Sequence, residues 1–288
     1  MSGVTVRPAV AGDYACLGGM FARAELGGET MAGQLAFVER RLGGAAFVAD
    51  ADGELVGASA AVAFGTSGWI GGVAVLPGWR GAGLGRALTA EAVRWLDDAG
   101  TASVSLHATA LGRPVYERLG FAADGRWLRL RTGAMRAMPT PPAVRAGRPA
   151  DLDAVLALDR AATGSHRSRL LRAVWGSGCL VAEDAGGLVC GFHVPKTPRP
   201  AGRHRWTPAD QPGATIAVDA QVGAALLAAW QRPGVAASVV LPAANVAGRG
   251  ALQALGYLVT SSTVLMRHGP APAWLPERIF GGFNLFWG

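Results

Sequence analysis

The stretch that most constrains this chain runs from Val73 to Leu88, VAVLPGWRGAGLGRAL. Alternating valines suit a half-buried strand, Pro77-Gly78 ends it, and the run from Leu84 sets Leu88, Ala92 and Trp95 on one helical face. A strand that enters a helix through glycines is an anion site. The N–H groups of the first helical turn lack intrahelical partners and carry the positive end of the dipole, and glycines let a ligand approach them. Arg80 and Arg86 add formal charge.

Spacing narrows the ligand. A nucleoside-triphosphate loop ends in Gly-Lys-Ser/Thr, whereas Gly85-Arg86-Ala87 has no hydroxyl for magnesium. A dinucleotide fingerprint needs G-x-G-x-x-G, but Gly81, Gly83 and Gly85 are spaced by two and position 86 is arginine. A ligand-free turn needs one glycine rather than three. The remaining pattern, Arg80-x-x-Gly83-x-Gly85 after a Val-x-Val strand and a proline, resembles the acyl-CoA loop of the GNAT superfamily of N-acetyltransferases. In that family the loop grips the pyrophosphate of acetyl-CoA.

With 288 residues, half of them apolar, the chain is long enough for two globular domains. Its formal charge of +7 comes mostly from arginines scattered singly, which suits a ligand bearing several phosphates and gives no tract for nucleic acid. Cys16, Cys179 and Cys190 lie far apart in no C-x-x-C arrangement, so neither a disulfide framework nor a metal site is expected. A reducing, cytoplasmic setting fits this usage, and the N-terminus shows no export signal. Leu55 to Trp79 has no charged residue, but Gly65-Thr66-Ser67-Gly68 breaks it and Pro77 ends it. It reads as two strands covered on both faces rather than a membrane helix, and no membrane partner is expected.

Taken in order, the first half predicts a strand at Val4–Pro8 and helices over Asp13–Leu26 and Thr30–Leu42, with Asp13 as a cap. A hairpin follows around Ala51-Asp52-Gly53, then the glycine-loop unit, then a strand over Ser103–His107. The next helix ends Val115-Tyr116-Glu117-Arg118-Leu119-Gly120-Phe121, with Gly120 as its C-terminal cap. The order implies an α/β unit with a mixed, largely antiparallel sheet flanked by helices. The Tyr-x-x-x-Gly-Phe ending also resembles the GNAT superfamily.

After the breaker-rich run Met138-Pro139-Thr140-Pro141-Pro142 the sequence starts again. Arg145 and Asp151 repeat Arg7 and Asp13, Leu180–Glu183 repeats Phe47–Asp50, and Leu252–Tyr257 repeats Tyr116–Phe121, at offsets of roughly 133 to 138 residues. The reading is a tandem pair of GNAT-like domains: residues 1–137 with the acetyl-CoA site, a linker at 138–142, and residues 143–288. In the second copy, Ile216 to Leu227 lacks the arginine and the glycine triplet, and Asp219 sits where a pyrophosphate would. This copy is expected to keep the fold without the cofactor site.

The resemblance implies acetyl transfer from acetyl-CoA, as cosubstrate, to the amine of a small acceptor by direct attack in a ternary complex. A CoA-binding sensor without catalysis is the alternative. The main chain of Val73, Ala74 and Val75 would meet the pantetheine arm and the thioester, and Arg80, Gly81, Ala82, Gly83, Leu84, Gly85 and Arg86 would hold the pyrophosphate. Tyr116 matches the tyrosine that serves the departing sulfur. Thr109 stands where the family commonly has an asparagine, which Asn245 keeps in the second copy. His107 is the candidate base by its ordinary pKa, with Glu25, Glu29 or a water relay as alternatives. The insertion from Pro195 to Pro212 reads as a lid or a disordered loop, and Arg203, His204, Arg205, Asp210 and Asp219 are the candidates to line an acceptor cleft between the domains. The apolar end, Ile279 to Trp287, should pack against a domain, and the chain is expected to be a monomer or a homodimer.

Overall fold

The computed structural model describes residues 3–133, 136, 138, 143–195, 212–231 and 236–287. They form two compact units: Met1–Ala123 with Met266–Ala271 and Trp287, and Asp124–Leu265 with Pro272–Phe286.

The first unit contains β1 (Val4–Pro8), α1 (Tyr14–Arg23), α2 (Glu29–Phe37), β2 (Ala45–Ala51), β3 (Glu54–Phe64), β4 (Ser67–Val75), α3 (Leu84–Asp98), β5 (Ser103–Ala108) and α4 (Arg113–Glu117). The sheet runs β1-β2-β3-β4-β5, antiparallel except for the parallel β4–β5 pair. Ala51 faces Glu54 across Asp52-Gly53, and both turn residues have positive φ, as a two-residue hairpin requires. The charge-free stretch is β3 and β4, joined at Gly65-Thr66, and β3 is buried almost throughout. The helix α3 packs on β2, β3 and β4, burying Leu88, Thr89, Ala92 and Leu96, whereas Trp95 is only half-buried. The buried stripe thus repeats every four residues.

The second unit contains β6 (Ala122–Thr132) from Asp124 onward, β7 (Ala143–Ala146), α5 (Leu152–Thr163), α6 (Ser168–Val174), β8 (Leu180–Glu183), β9 (Val189–Pro195), β10 (Pro212–Ala217), α7 (Ala220–Trp230), β11 (Ala237–Pro242), α8 (Val246–Ala254), most of β12 (Leu258–His268) and β13 (Ile279–Gly281). An antiparallel sheet runs β13-β10-β9-β8-β7. Separately, β6 pairs antiparallel with β11 and has β12 on its other side. Leu226, Leu227, Leu252, Tyr257 and Phe280 centre the core.

The units do not follow a simple cut of the chain. The sequence reading divides it at 138–142, of which 139–142 lie outside the described residues; the observed division falls at Ala123/Asp124. The strand β6 joins the second unit beside β11, and the end of β12 joins the first beside β5. There Arg267 Nη1 donates to Ser103 Oγ at 3.3 Å and Ser105 Oγ at 2.9 Å.

The duplication is visible in side-chain detail. In the first unit Arg7 pairs with Asp13 at 2.8 Å and Asp50 at 2.7 Å, while the Val10 amide donates to Asp13. In the second, Arg145 pairs with Asp151 and Glu183, while the Arg148 amide donates to Asp151. Asp13 therefore ties the end of β1 to the turn before α1, rather than capping α1 with its side chain. Among the described residues no helix is long and apolar enough to cross a membrane.

Candidate active site

The site begins where two strands of the first unit part. Pairing between β4 and β5 covers only Ser67↔Ser103, Gly68↔Val104 and Trp69↔Ser105. Beyond Trp69, β4 carries one residue more than β3 opposite it: Ala60 faces Gly71, yet Ala58 faces Ala74. Such a bulge bends and twists a strand away from its neighbour. Gly72, inside it, has φ +64°, a left-handed conformation that glycine adopts without strain. The sequence reading named Val73–Val75 but not Gly72. The paired glycines at 71 and 72 in an otherwise β-prone strand were the available signal.

Strand alternation sorts the three expected main-chain contacts. The Leu76 amide donates to the Val56 carbonyl on β3, so the main chain of Val75 turns to the opposite edge, where its carbonyl accepts Arg80 Nε at 3.1 Å. By the same alternation the main chain of Ala74 belongs to the β3 ladder. Val73 lies in the bulge.

The loop then turns through Pro77–Trp79 into α3. Gly81 and Gly83 have φ of +83° and +82°, and a Cβ built on either would meet nothing within 4 Å. Gly83 is the N-cap and no side chain caps it. Arg80, Gly81, Ala82, Gly83 and Arg86 are exposed, with Leu84 and Gly85 half-buried. A 15-residue helix thus starts without a side-chain cap, behind two glycines with open space on their Cβ side and beside two exposed arginines, which fits an anion.

In the second unit the corresponding helix end is closed. Asp219 is the N-cap of α7 and its Oδ1 accepts the Val222 amide at 2.9 Å. A carboxylate supplied by the chain takes one of the first amides of α7 and sets a negative charge at the helix end, where Gly83 has no side chain to do so.

Tyr116 lies on α4, which packs against α3, and is 7% exposed. Its ring sits 6.2 Å from that of Phe121, which lies 5.6 Å from His268. Gly120, φ +83°, makes the turn between them, so the Tyr-x-x-x-Gly-Phe ending is a local packing unit. Burial pushes the Tyr116 hydroxyl up to about 12, so it keeps its proton at neutral pH.

Thr109 caps α4: its Oγ1 accepts the Gly112 amide at 3.1 Å. In the second unit Asn245 Oδ1 accepts from Gly248 at 2.7 Å, and its Nδ2 donates to the Ile279 carbonyl at 3.0 Å. Thr109 keeps the cap and lacks that donor.

His107 stacks on Trp69, ring centres 5.6 Å apart, where β4 and β5 separate. Burial of the imidazole pulls it down to about 3, which leaves it neutral at physiological pH and a weak acceptor for the proton of an ammonium. Glu25 lies exposed between α1 and α2, and Glu29, also exposed, is the first residue of α2. Of the expected acceptor-side residues, Asp219 is the cap of α7, and Arg203, His204, Arg205 and Asp210 lie outside the described residues.

Residues 43–123 match the family model of the acetyltransferase (GNAT) domain. No curated protein matches the chain. A Pyrococcus horikoshii protein described as an acetyltransferase is 18% identical with a TM-score of 0.82, covering 100% of this chain and 97% of that one. A GCN5-related N-acetyltransferase from Sphaerobacter thermophilus is 18% identical with a TM-score of 0.63, covering 93% and 96%. A tandem GNAT protein from the clavulanic acid biosynthesis pathway is 17% identical, also at 0.63, covering 93% and 99%. The stretch from β2 through α4 thus matches the acetyltransferase (GNAT) domain model, and the chain has the fold of the GNAT proteins it resembles.

Proposed function

We propose that the chain is an N-acetyltransferase that uses acetyl-CoA and a small amine, with a single cofactor site in the first unit. The observation that carries this reading is the contrast between the two α-helix N-termini: α3 uncapped behind two left-handed glycines, α7 capped by Asp219. The first presents its amides with no carboxylate in front of them, whereas the second already holds a negative charge where a pyrophosphate would sit.

Acetyl-CoA, when bound, supplies the acyl group and a thiolate leaving group. Arg80 and Arg86 neutralise phosphate charge, Arg80 being already oriented by the Val75 carbonyl. The amide of Val75, on the free edge of β4, adds a donor for an extended ligand laid along the strand, and the bulge at Gly72 keeps β5 out of that space. Tyr116, neutral at pH 7, donates a hydrogen bond to the departing sulfur. Thr109 supports α4, and hence Tyr116, through its cap. With His107 held neutral, the proton of the acceptor leaves through water, and the rings of His107 and Trp69, tilted 31° to each other, lie beside the parting strands. The protein works in the cytoplasm as a monomer or homodimer, without nucleic acid or membrane.

Isothermal titration of the full chain with acetyl-CoA, followed by thiol release across a panel of amines, tests the proposal. Binding of one equivalent with release for at least one amine class supports it. No binding of any CoA species overturns it, and binding without release from any amine favours the sensor.

A further inference from the structure

The second unit holds more than a degenerate loop. Its equivalents of β4 and β5 are β10 and β11, which belong to separate sheets, and the gap between them is occupied by the chain itself. The strand β13 runs antiparallel to β10, with Ile279 opposite Ile216 and Gly281 opposite Thr215. Just beyond it, the Gly282 amide donates to the Val240 carbonyl on β11 at 2.8 Å. One short segment thus takes up main-chain groups of both parted strands, which would otherwise be open edges.

Side chains lock the segment. Phe280 is fully buried and lies against Gly223 in the first turns of α7; a Cβ at Gly223 would come within 2.3 Å of the ring. Asn245, also fully buried, donates through Nδ2 to the Ile279 carbonyl while its Oδ1 caps α8. Each contact has its counterpart in the first unit: the free edge of β4 for β10, the glycine-rich start of α3 for Gly223, and Thr109 for Asn245.

We propose that residues 276–282 are the resident occupant of the second unit's cleft, an extended peptide lying where the first unit leaves room for an acyl-CoA arm. The cleft has become an internal peptide slot. Occupancy by this segment, together with the Asp219 cap, closes the second copy to acyl-CoA. The comparison rests on the reading of the first unit as the acyl-CoA site; the seating of the segment stands on its own contacts.

Hydrogen–deuterium exchange of residues 276–286 in the full chain, read beside acetyl-CoA stoichiometry, tests this. In the unaltered protein the segment is expected to exchange slowly and one equivalent to bind. Gly223→Ala drives a methyl into Phe280, and Asn245→Asp keeps the cap while turning a carboxylate oxygen toward the Ile279 carbonyl. Each should speed exchange across 276–286 by about tenfold or more, with the rest of the second unit still protected. Asn245→Asp, the milder change, keeps the test valid if Gly223→Ala fails to fold. Fast exchange of the segment in the unaltered protein, no acceleration in either variant, or a second equivalent of acetyl-CoA bound overturns the proposal. Slow exchange with no acetyl-CoA bound at all supports the seated segment and sinks the reading of the first unit instead.

Discussion

Thr109 Oγ1 accepts the Gly112 amide at 3.1 Å, and with that single bond it does half of what Asn245 does in the other copy. The missing half is an N–H₂ group aimed at an extended chain. Thr109→Asn should restore it and tighten acetyl-CoA binding by roughly two- to tenfold, the range of one added hydrogen bond. Titration calorimetry reads the change; unaltered or weaker binding would show that the arm passes elsewhere.

Arg80 is exposed yet oriented, since its Nε is held by the Val75 carbonyl. Arg80→Ala should weaken acetyl-CoA about 10- to 100-fold, as expected for a charge-assisted contact, and should flatten the salt dependence of binding. Pantetheine, which lacks the pyrophosphate, provides the control, because its binding should not sense the change.

Tyr116→Phe keeps the tilted ring contact with Phe121 and removes only the hydroxyl. Turnover should fall at least tenfold while acetyl-CoA affinity stays within about twofold. Equal turnover in the variant would remove Tyr116 from the chemistry.

His107 separates two readings of the pH profile. If the proton leaves through water, His107→Gln should leave the acid limb of kcat/KM in place. Stability carries the complementary signal. A histidine lowered from its ordinary 6.5 to about 3 contributes stability that is present above 6.5 and is lost as pH falls toward 3, because only the unfolded chain takes up the proton in that window. His193, fully buried with Nδ1 on Thr215 Oγ1 at 2.9 Å, is lowered in the same way. Urea titrations between pH 7 and 4 should show declining stability, with a shallower slope in His107→Gln.

The repeated ion clusters act lower still. The Arg145 guanidinium holds Asp151 down to about 2, so its contribution is present above the ordinary carboxylate range and is lost as pH falls from about 4 through 2. Asp151→Asn should remove this acid dependence and, by weakening the bonds to Arg145, destabilise the second unit by about 1–3 kcal/mol.

The glycine loop, the tyrosine motif and the duplication were all legible in the sequence, because each rests on local spacing: three glycines in five residues, a glycine cap before an aromatic, and an arginine six residues before an aspartate. Their structural meaning follows from backbone conformation, so Gly81, Gly83 and Gly120 have the positive φ that glycine permits. Long-range pairing was not legible. Which strand completes which sheet depends on partners more than a hundred residues apart, so nothing local announces that Arg267 reaches Ser103 and Ser105, or that the unit boundary falls at Ala123. The low pKa of His107 is likewise a property of its burial, not of its residue type. The stretch Ile279 to Trp287 shows the division most clearly. Its apolarity by itself required it to be covered, and its aromatic residues are buried. Only the tertiary structure decided that β13 lies between β10 and β11, since that place exists only once two strands distant in sequence have parted.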